Sequence, residues 1–493
     1  MELIWNDISL ERVIGAATAQ ALVEGNVPLP EAKSVKSILD TQAEVRITSY
    51  EVGEGVVGVE ASLRVAFICM GGDDRVFSFT SSAPFKHTIS IDGAKAGQTA
   101  EITTVIQSVS GMPSGDFVAL TSTVELSCRL EDLSPMRVMA GLSGVSDVEV
   151  KTEQVKYMTR RAVGSGSCRI REEIGASGVN TVMASTGEAS VREVHIEGAN
   201  ACVSGVLTVS ALCMDSSDRL TQTVQHVTFE ELIPVDTASA ALSARASVDT
   251  VVMRTVGEEF GLITLEAILD ISVFETVERA ATVPTDSFSP MLAYDPLAAR
   301  TRLMLRGESF SAKQSIRENI DVPEGMPEIY RAVYSSARPM TTSISCGSGR
   351  VDIDGILFTH IIYQSEGGAM YSFTEDIPFF VQADAACDSM TEAEASLRCV
   401  CSASGGTGRS AEISYTLLID GTTFSYRDID IVTGIAECEQ RESVKGIVVY
   451  YTDKGETLYD IAKRFNVTTH SLRMSNPSLA DTMNGTERLV MML

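Results

Sequence analysis

The residues able to do chemistry are few and scattered. Five histidines, His87, His195, His226, His360 and His470, form neither an H-E-x-x-H pattern nor an i, i+4 pair, the spacings that place two imidazoles on one helical face toward zinc. No metal site is expected from them. Of the ten cysteines only Cys399 and Cys401 lie close together, and no second pair matches them. All ten are expected as reduced core thiols; Cys69 and Cys213 each precede a methionine on an apolar run, where small buried hydrophobes belong. The glycine-rich stretch 404–410 lacks the lysine of a phosphate loop and precedes a strand, so it reads as a hairpin turn. There is no G-x-S-x-G elbow, and the carboxylate pairs Glu172–Glu173 and Glu258–Glu259 are adjacent residues that point apart on a strand or loop. No catalytic residue and no cofactor are expected. Asn466 and Asn484 head glycosylation sequons, which mean nothing chemical without a secretion signal.

The elements that would position a site carry more information. A chain of 493 residues suggests three to five domains of about 100 to 200 residues each. Hydrophobic content of 44% excludes a disordered scaffold, and no apolar run approaches the roughly 18 residues of a membrane span. The first residues show no basic stretch followed by an apolar one, so no secretory signal is read and the cytoplasm is the expected compartment. Net charge is -27, whereas residues 446–493 are balanced; the excess lies upstream, and such a field repels nucleic acid and anionic lipid.

Internal comparison shows three copies of one unit. Residues 59–70 match 203–214, with Val59, Leu63, Val65, Cys69 and Met70 recurring as Val203, Leu207, Val209, Cys213 and Met214. A weaker third copy covers 353–364. A phenylalanine follows each block at constant distance, Phe85, Phe229 and Phe379, and these are expected in the core. Similar lead-ins start at Val35, Val179 and Ile329, and the run 170–174 recurs at 316–320. Within a unit the apolar period is two, as in Val45 and Ile47 or Leu63, Val65 and Phe67, with turns at 71–74 and 215–218. The pattern predicts a mainly β chain of tandem β-sandwich-like modules. Irregular connections are expected over 131–163 and 285–306, and helix over 15–27.

The tail is of another kind. A strand from Val448 leads through Lys454 and Gly455 to Glu456 and Thr457, which suit a helix N-terminus. Leu458, Ile461, Ala462 and Phe465 form one apolar face, and Asn466 ends the run. A second short helix carries Leu472, Asn476–Pro477 stops it, and Arg488 opens a closing strand. The expected order is strand, helix, helix, strand, a small α+β domain.

On these residues the tail resembles a LysM domain, a glycan-binding module. The opening 20–39 with Leu29, Pro30 and Glu31, the strand block, Ala83–Pro84–Phe85 and the run 91–97 resemble the SPOCS domain of spore-coat-associated proteins. Tandem SPOCS units ending in a LysM resemble clostridial spore morphogenetic proteins. The expected division is an N-terminal segment 1–28, modules 29–160, 161–305 and 306–440, the last divergent, and a LysM domain 446–493. The resemblance implies a groove with Gly455, Glu456, Thr457 and Leu458 on one wall and Asn476, Pro477 and Leu479 on the other, where backbone amides and apolar contact would hold N-acetylated sugars. It also implies a non-catalytic coat-assembly protein, made in the mother-cell cytoplasm and docking at the forespore surface through its tail on the coat-basement ATPase of stage IV sporulation. The alternative is a wall or cortex protein that binds peptidoglycan, an N-acetylglucosamine glycan.

Overall fold

The computed structural model describes residues 2–8, 10–132, 134–145, 147–175, 178–239, 241–256, 262–438 and 446–492. The pair Glu258–Glu259 lies outside them. The chain starts with a short strand β1 (Leu3–Ile8), then builds a sandwich from β2 (Arg12–Pro28), β3 (Val35–Gly53), β4 (Val56–Gly71), β5 (Val76–Ser90), β6 (Thr99–Ser114) and β7 (Phe117–Asp132). Strand β8 (Met136–Leu142) returns to pair with β1. The second sandwich runs β9 (Glu149–Gly175), β10 (Val179–Glu197), β11 (Asn200–Asp215), β12 (Leu220–Pro234), β13 (Leu242–Thr255) and β14 (Leu262–Phe288). The third runs β15 (Tyr294–Asp321), β16 (Ile329–Gly347), β17 (Arg350–Ser365), β18 (Met370–Asp384), β19 (Glu392–Thr407) and β20 (Ser410–Glu437). The tail is β21 (Ile447–Tyr451), α1 (Leu458–Phe465), α2 (Thr469–Ser475) and β22 (Arg488–Met492).

One wiring recurs three times. The second, third and fourth strands of each unit form an antiparallel meander, and the sixth lies between the fifth and the first in a facing sheet. The core of the first unit joins Val57, Leu63, Val65 and Phe67 of β4 to Val118, Leu120, Val124 and Leu126 of β7 and Ala21 and Val23 of β2. The other two cores repeat this with β11 against β14 and β17 against β20. Apolar alternation on each central strand supplies one buried face per sheet, which is what a sandwich needs. The chain is mainly β.

The recurring phenylalanine marks a recurring register. Phe85 lies opposite Ala61, Phe229 opposite Gly205 and Phe379 opposite Gly355. At Gly205 and Gly355 a Cβ would overlap the phenylalanine ring and a backbone carbonyl, so the ring lies flat over bare backbone and is buried. Ala61 denies that seat in the first unit, and Phe85 stays half-buried.

Three expectations are corrected. Residues 15–27 are strand, within β2; their alanines suggest helix, but β2 pairs with β7, and Ala17, Ala19, Ala21 and Val23 alternate inward to the core. That strand is the first of the first sandwich, so 12–28 is no detached segment. The stretches 131–163 and 285–306 are not irregular either: they carry β8, the first half of β9, the end of β14 and the start of β15. These ribbons pass beyond the sandwiches and share their own apolar cluster, with Leu10, Val138, Tyr157, Val283, Leu303 and Ile431 buried together. A half-exposed ribbon carries a weak alternation, which is why it reads as loop. The 404–410 stretch is the hairpin expected of it, with Thr407 opposite Ser410.

The three units pack on one another at equivalent places. Ile68, Leu212 and Ile362, which occupy the same position in the three repeat blocks, are buried in one cluster with Leu39, Leu220 and Tyr334. Gln42 donates to the Tyr334 hydroxyl at 2.7 Å, Ser336 to Asp40 at 2.9 Å, and Gln222 to the carbonyls of Ser335 and Cys401. Arg129, nearly buried, pairs with Glu101 of its own unit and at 3.1 Å with Glu394 of the third; Arg160 and Arg245 of the second reach Glu101 at 3.4 and 3.6 Å.

Candidate functional site

The tail is built as its sequence suggests. Thr457 caps α1: its hydroxyl accepts from the Asp460 amide while the Asp460 carboxylate accepts from the Thr457 amide, a capping box. Asn466 ends the helix in the left-handed region at φ 55, which asparagine tolerates. Leu458, Ile461, Ala462, Leu472, Met483, Leu489 and Met491 form the core between helices and hairpin.

The first wall is bonded through its backbone to residues 481–483. The Gly455 amide donates to the Met483 carbonyl at 2.9 Å, the Met483 amide to Glu456 at 2.9 Å and the Leu458 amide to Asp481 at 2.9 Å. Gly455 sits at φ 90, where a side chain would be strained. Burial pushes the Glu456 carboxyl up, but the Asp453 amide, the Tyr450 hydroxyl and the Arg464 guanidinium outweigh it and hold it below the usual range. Leu458 is buried in the core rather than open to a groove. On the other wall the Asn476 amide group donates to the carbonyls of Leu472 (3.1 Å) and Val490 (2.8 Å) and accepts from the Val490 amide (2.9 Å), tying α2 to β22. Pro477 is exposed and Leu479 half-buried. Residues 455–458 therefore face 481–483, while Asn476 is turned to β22.

The tail does not hang free. Its α1 sits on the ribbon end of the second sandwich, where Phe288 enters the tail's core and meets Tyr459 edge-on at 5.2 Å. Lys463 pairs with Asp286 at 2.6 Å and Lys151 with Asp460 at 2.9 Å. Glu149 accepts from the amide and hydroxyl of Thr469, and the Asn466 side chain donates to the Pro290 carbonyl. Burial, with Asp286 adding to it, raises the Tyr459 phenol far above its ordinary range. No local pattern marks this seat: Glu149, Lys151 and Asp286 read as ordinary surface charges until the fold brings them to α1.

A second concavity lies where the units meet, a cavity of about 1100 Å³ reached by residues of all three. Glu44, Glu188 and Arg398 face it, one from each unit. Burial raises both carboxyls to about 7, with Arg64 opposing it at Glu44 and Arg398 at Glu188.

Comparison with known proteins gives one match. Residues 34–112 match the family model described as SipL, SPOCS domain. That span covers the meander β3 to β5 and nearly all of β6 in the first sandwich. No curated protein and no solved structure matches the chain. The protein carries a SPOCS domain, which relates it to sporulation.

Proposed function

We propose that the protein is a non-catalytic assembly factor of the spore coat, made in the mother-cell cytoplasm and held at the forespore surface through a LysM-like tail. Its partner there is the coat-basement ATPase of stage IV sporulation. The SPOCS match supports the sporulation context, and the strand, helix, helix, strand tail supports the LysM reading. The observation that carries protein docking over sugar binding is the state of the wall amides. Those of Gly455, Glu456, Thr457 and Leu458 donate to Met483, Asp453, Asp460 and Asp481, those of Asn476 and Leu479 to Leu472 and Asn476, and Pro477 has none. An acetamide carbonyl of N-acetylglucosamine thus finds each of these amides already engaged and must displace a bond worth about 0.5–1.5 kcal/mol to use one.

The outer face of β21 offers a surface of the other kind. Ile447, Val449 and Tyr451 project from it at 71%, 51% and 60% exposure, an apolar stripe such as protein interfaces bury. Pull-down of the purified ATPase by the full chain tests this reading, with Val449→Asp and Tyr451→Asp expected to abolish capture while leaving circular dichroism unchanged. Capture unaffected by both variants, or no capture by the parent chain, counts against it.

A further inference from the structure

Outside the tail, three donor groups of different chemistry meet on the second sandwich. His195 and Glu197 lie on β10 and Cys202 on β11, joined by a tight turn with Gly198 at φ 64. His195 and Cys202 are direct cross-strand partners, and Glu197 is two residues on from His195, hence on the same face of the sheet. One ligand atom from each, imidazole nitrogen, carboxylate oxygen and sulfur, lies within 4.8 Å of the others. No spacing rule for helices finds such a set, because the separation of seven residues from His195 to Cys202 closes only across a hairpin.

We propose that this hairpin binds a zinc-class divalent cation through His195, Glu197 and Cys202. A tetrahedral zinc ion with bonds of about 2.0–2.3 Å holds its ligands roughly 3.3–3.8 Å apart, so the three atoms must close by about 1 Å. Exposed side chains turn that far freely, and His195 and Glu197 are exposed, while Cys202, nearly buried, is the fixed point. The fourth position faces solvent and takes water or Glu193, whose carboxylate is already 3.9 Å from His195. Glu230, two residues from the β12 partner of Cys202, adds negative charge on the same face. Sulfur and imidazole together select zinc over magnesium or calcium, which prefer all-oxygen shells. Binding replaces the thiol proton with a zinc–sulfur bond and releases that proton to solvent.

The donor pair is specific to the second unit. The same register places Glu51 opposite Gly58 in the first and Ser345 opposite Asp352 in the third, neither of which offers sulfur or imidazole. The cation is therefore not part of the repeated framework.

Calorimetric titration of the metal-free, reduced full chain with zinc chloride tests the proposal, with cobalt(II) absorption as a second readout. A single zinc per chain is expected, insensitive to excess magnesium, together with a sulfur-to-cobalt charge-transfer band. His195→Ala, a change at an exposed side chain that leaves the fold intact, and Cys202→Ala should each abolish both signals. Cys387→Ser, at a half-exposed thiol between β18 and β19 of the third sandwich, should leave them unchanged. Absence of saturable zinc uptake, or uptake undiminished in His195→Ala, overturns the assignment.

Discussion

Replacing Phe288 by alanine should release the tail from the second sandwich. The ring is 5% exposed, lies in the tail's own apolar cluster and contributes the edge-on contact with Tyr459. Truncating a buried phenylalanine costs about 3–5 kcal/mol, and the aromatic pair accounts for about 0.5–1.5 kcal/mol of that order. The remaining ties are the ion pairs Lys463–Asp286 and Lys151–Asp460, worth about 0.2–1 kcal/mol each, and the hydrogen bonds of Thr469 to Glu149 and of Asn466 to the Pro290 carbonyl, worth about 0.5–1.5 kcal/mol each; all are partly exposed and each is weaker than the buried ring. Because solvent can fill the vacated seat, the lower figure is the better guide: about 3 kcal/mol, or roughly a hundredfold rise in the open population. Hydrogen exchange with mass spectrometric readout measures this directly. Peptides covering 286–290 and 458–465 should exchange about a hundredfold faster in Phe288→Ala, with 34–112 unchanged. Unaltered exchange in both peptides would show that the seat does not hold the tail and would refute the reasoning.

Two further outcomes follow from burial and hydrogen bonding. Glu188 is protonated more readily in the folded protein, its carboxyl raised from 4.5 to about 7 chiefly by burial. Its effect on folding is nil below about 4.5, grows unfavourable as pH rises, and is complete above about 7. Glu188→Gln should therefore match the parent near about pH 4 and exceed it by about 1–2 kcal/mol near about pH 8 in denaturant unfolding, a figure reduced for water in the cavity. Equal stability at both values would contradict the burial argument. Asn476→Ala removes the three bonds that tie α2 to β22 and should cost the tail about 1–3 kcal/mol, read as faster exchange at Val490.

How much of this was legible in the chain depends on how local the cause was. The repeated phenylalanine spacing is a direct record of strand register, since Phe229 and Phe379 each require a glycine across the ladder. The tail was legible because α1 is amphipathic and capped by its own neighbours, Thr457 and Asp460. Residues 15–27 misled because alanine favours helix while its alternation against β7 is decided by tertiary pairing. The groove residues were placed by resemblance, and what they do inside the tail emerges only in three dimensions. Asn476 is a brace for β22, and Glu456 is held by Tyr450, Asp453 and Arg464. The seat for α1, the cavity lined by Glu44, Glu188 and Arg398 and the meeting of His195 with Cys202 all join residues whose proximity is a property of the fold alone.

The proposed function is tested most directly by offering the purified full chain both ligands side by side, peptidoglycan in a sedimentation assay and the coat-basement ATPase in a pull-down. Capture of the ATPase without sedimentation on peptidoglycan is the predicted result. Sedimentation with peptidoglycan and failure to capture the ATPase would contradict it and establish the tail as a glycan binder.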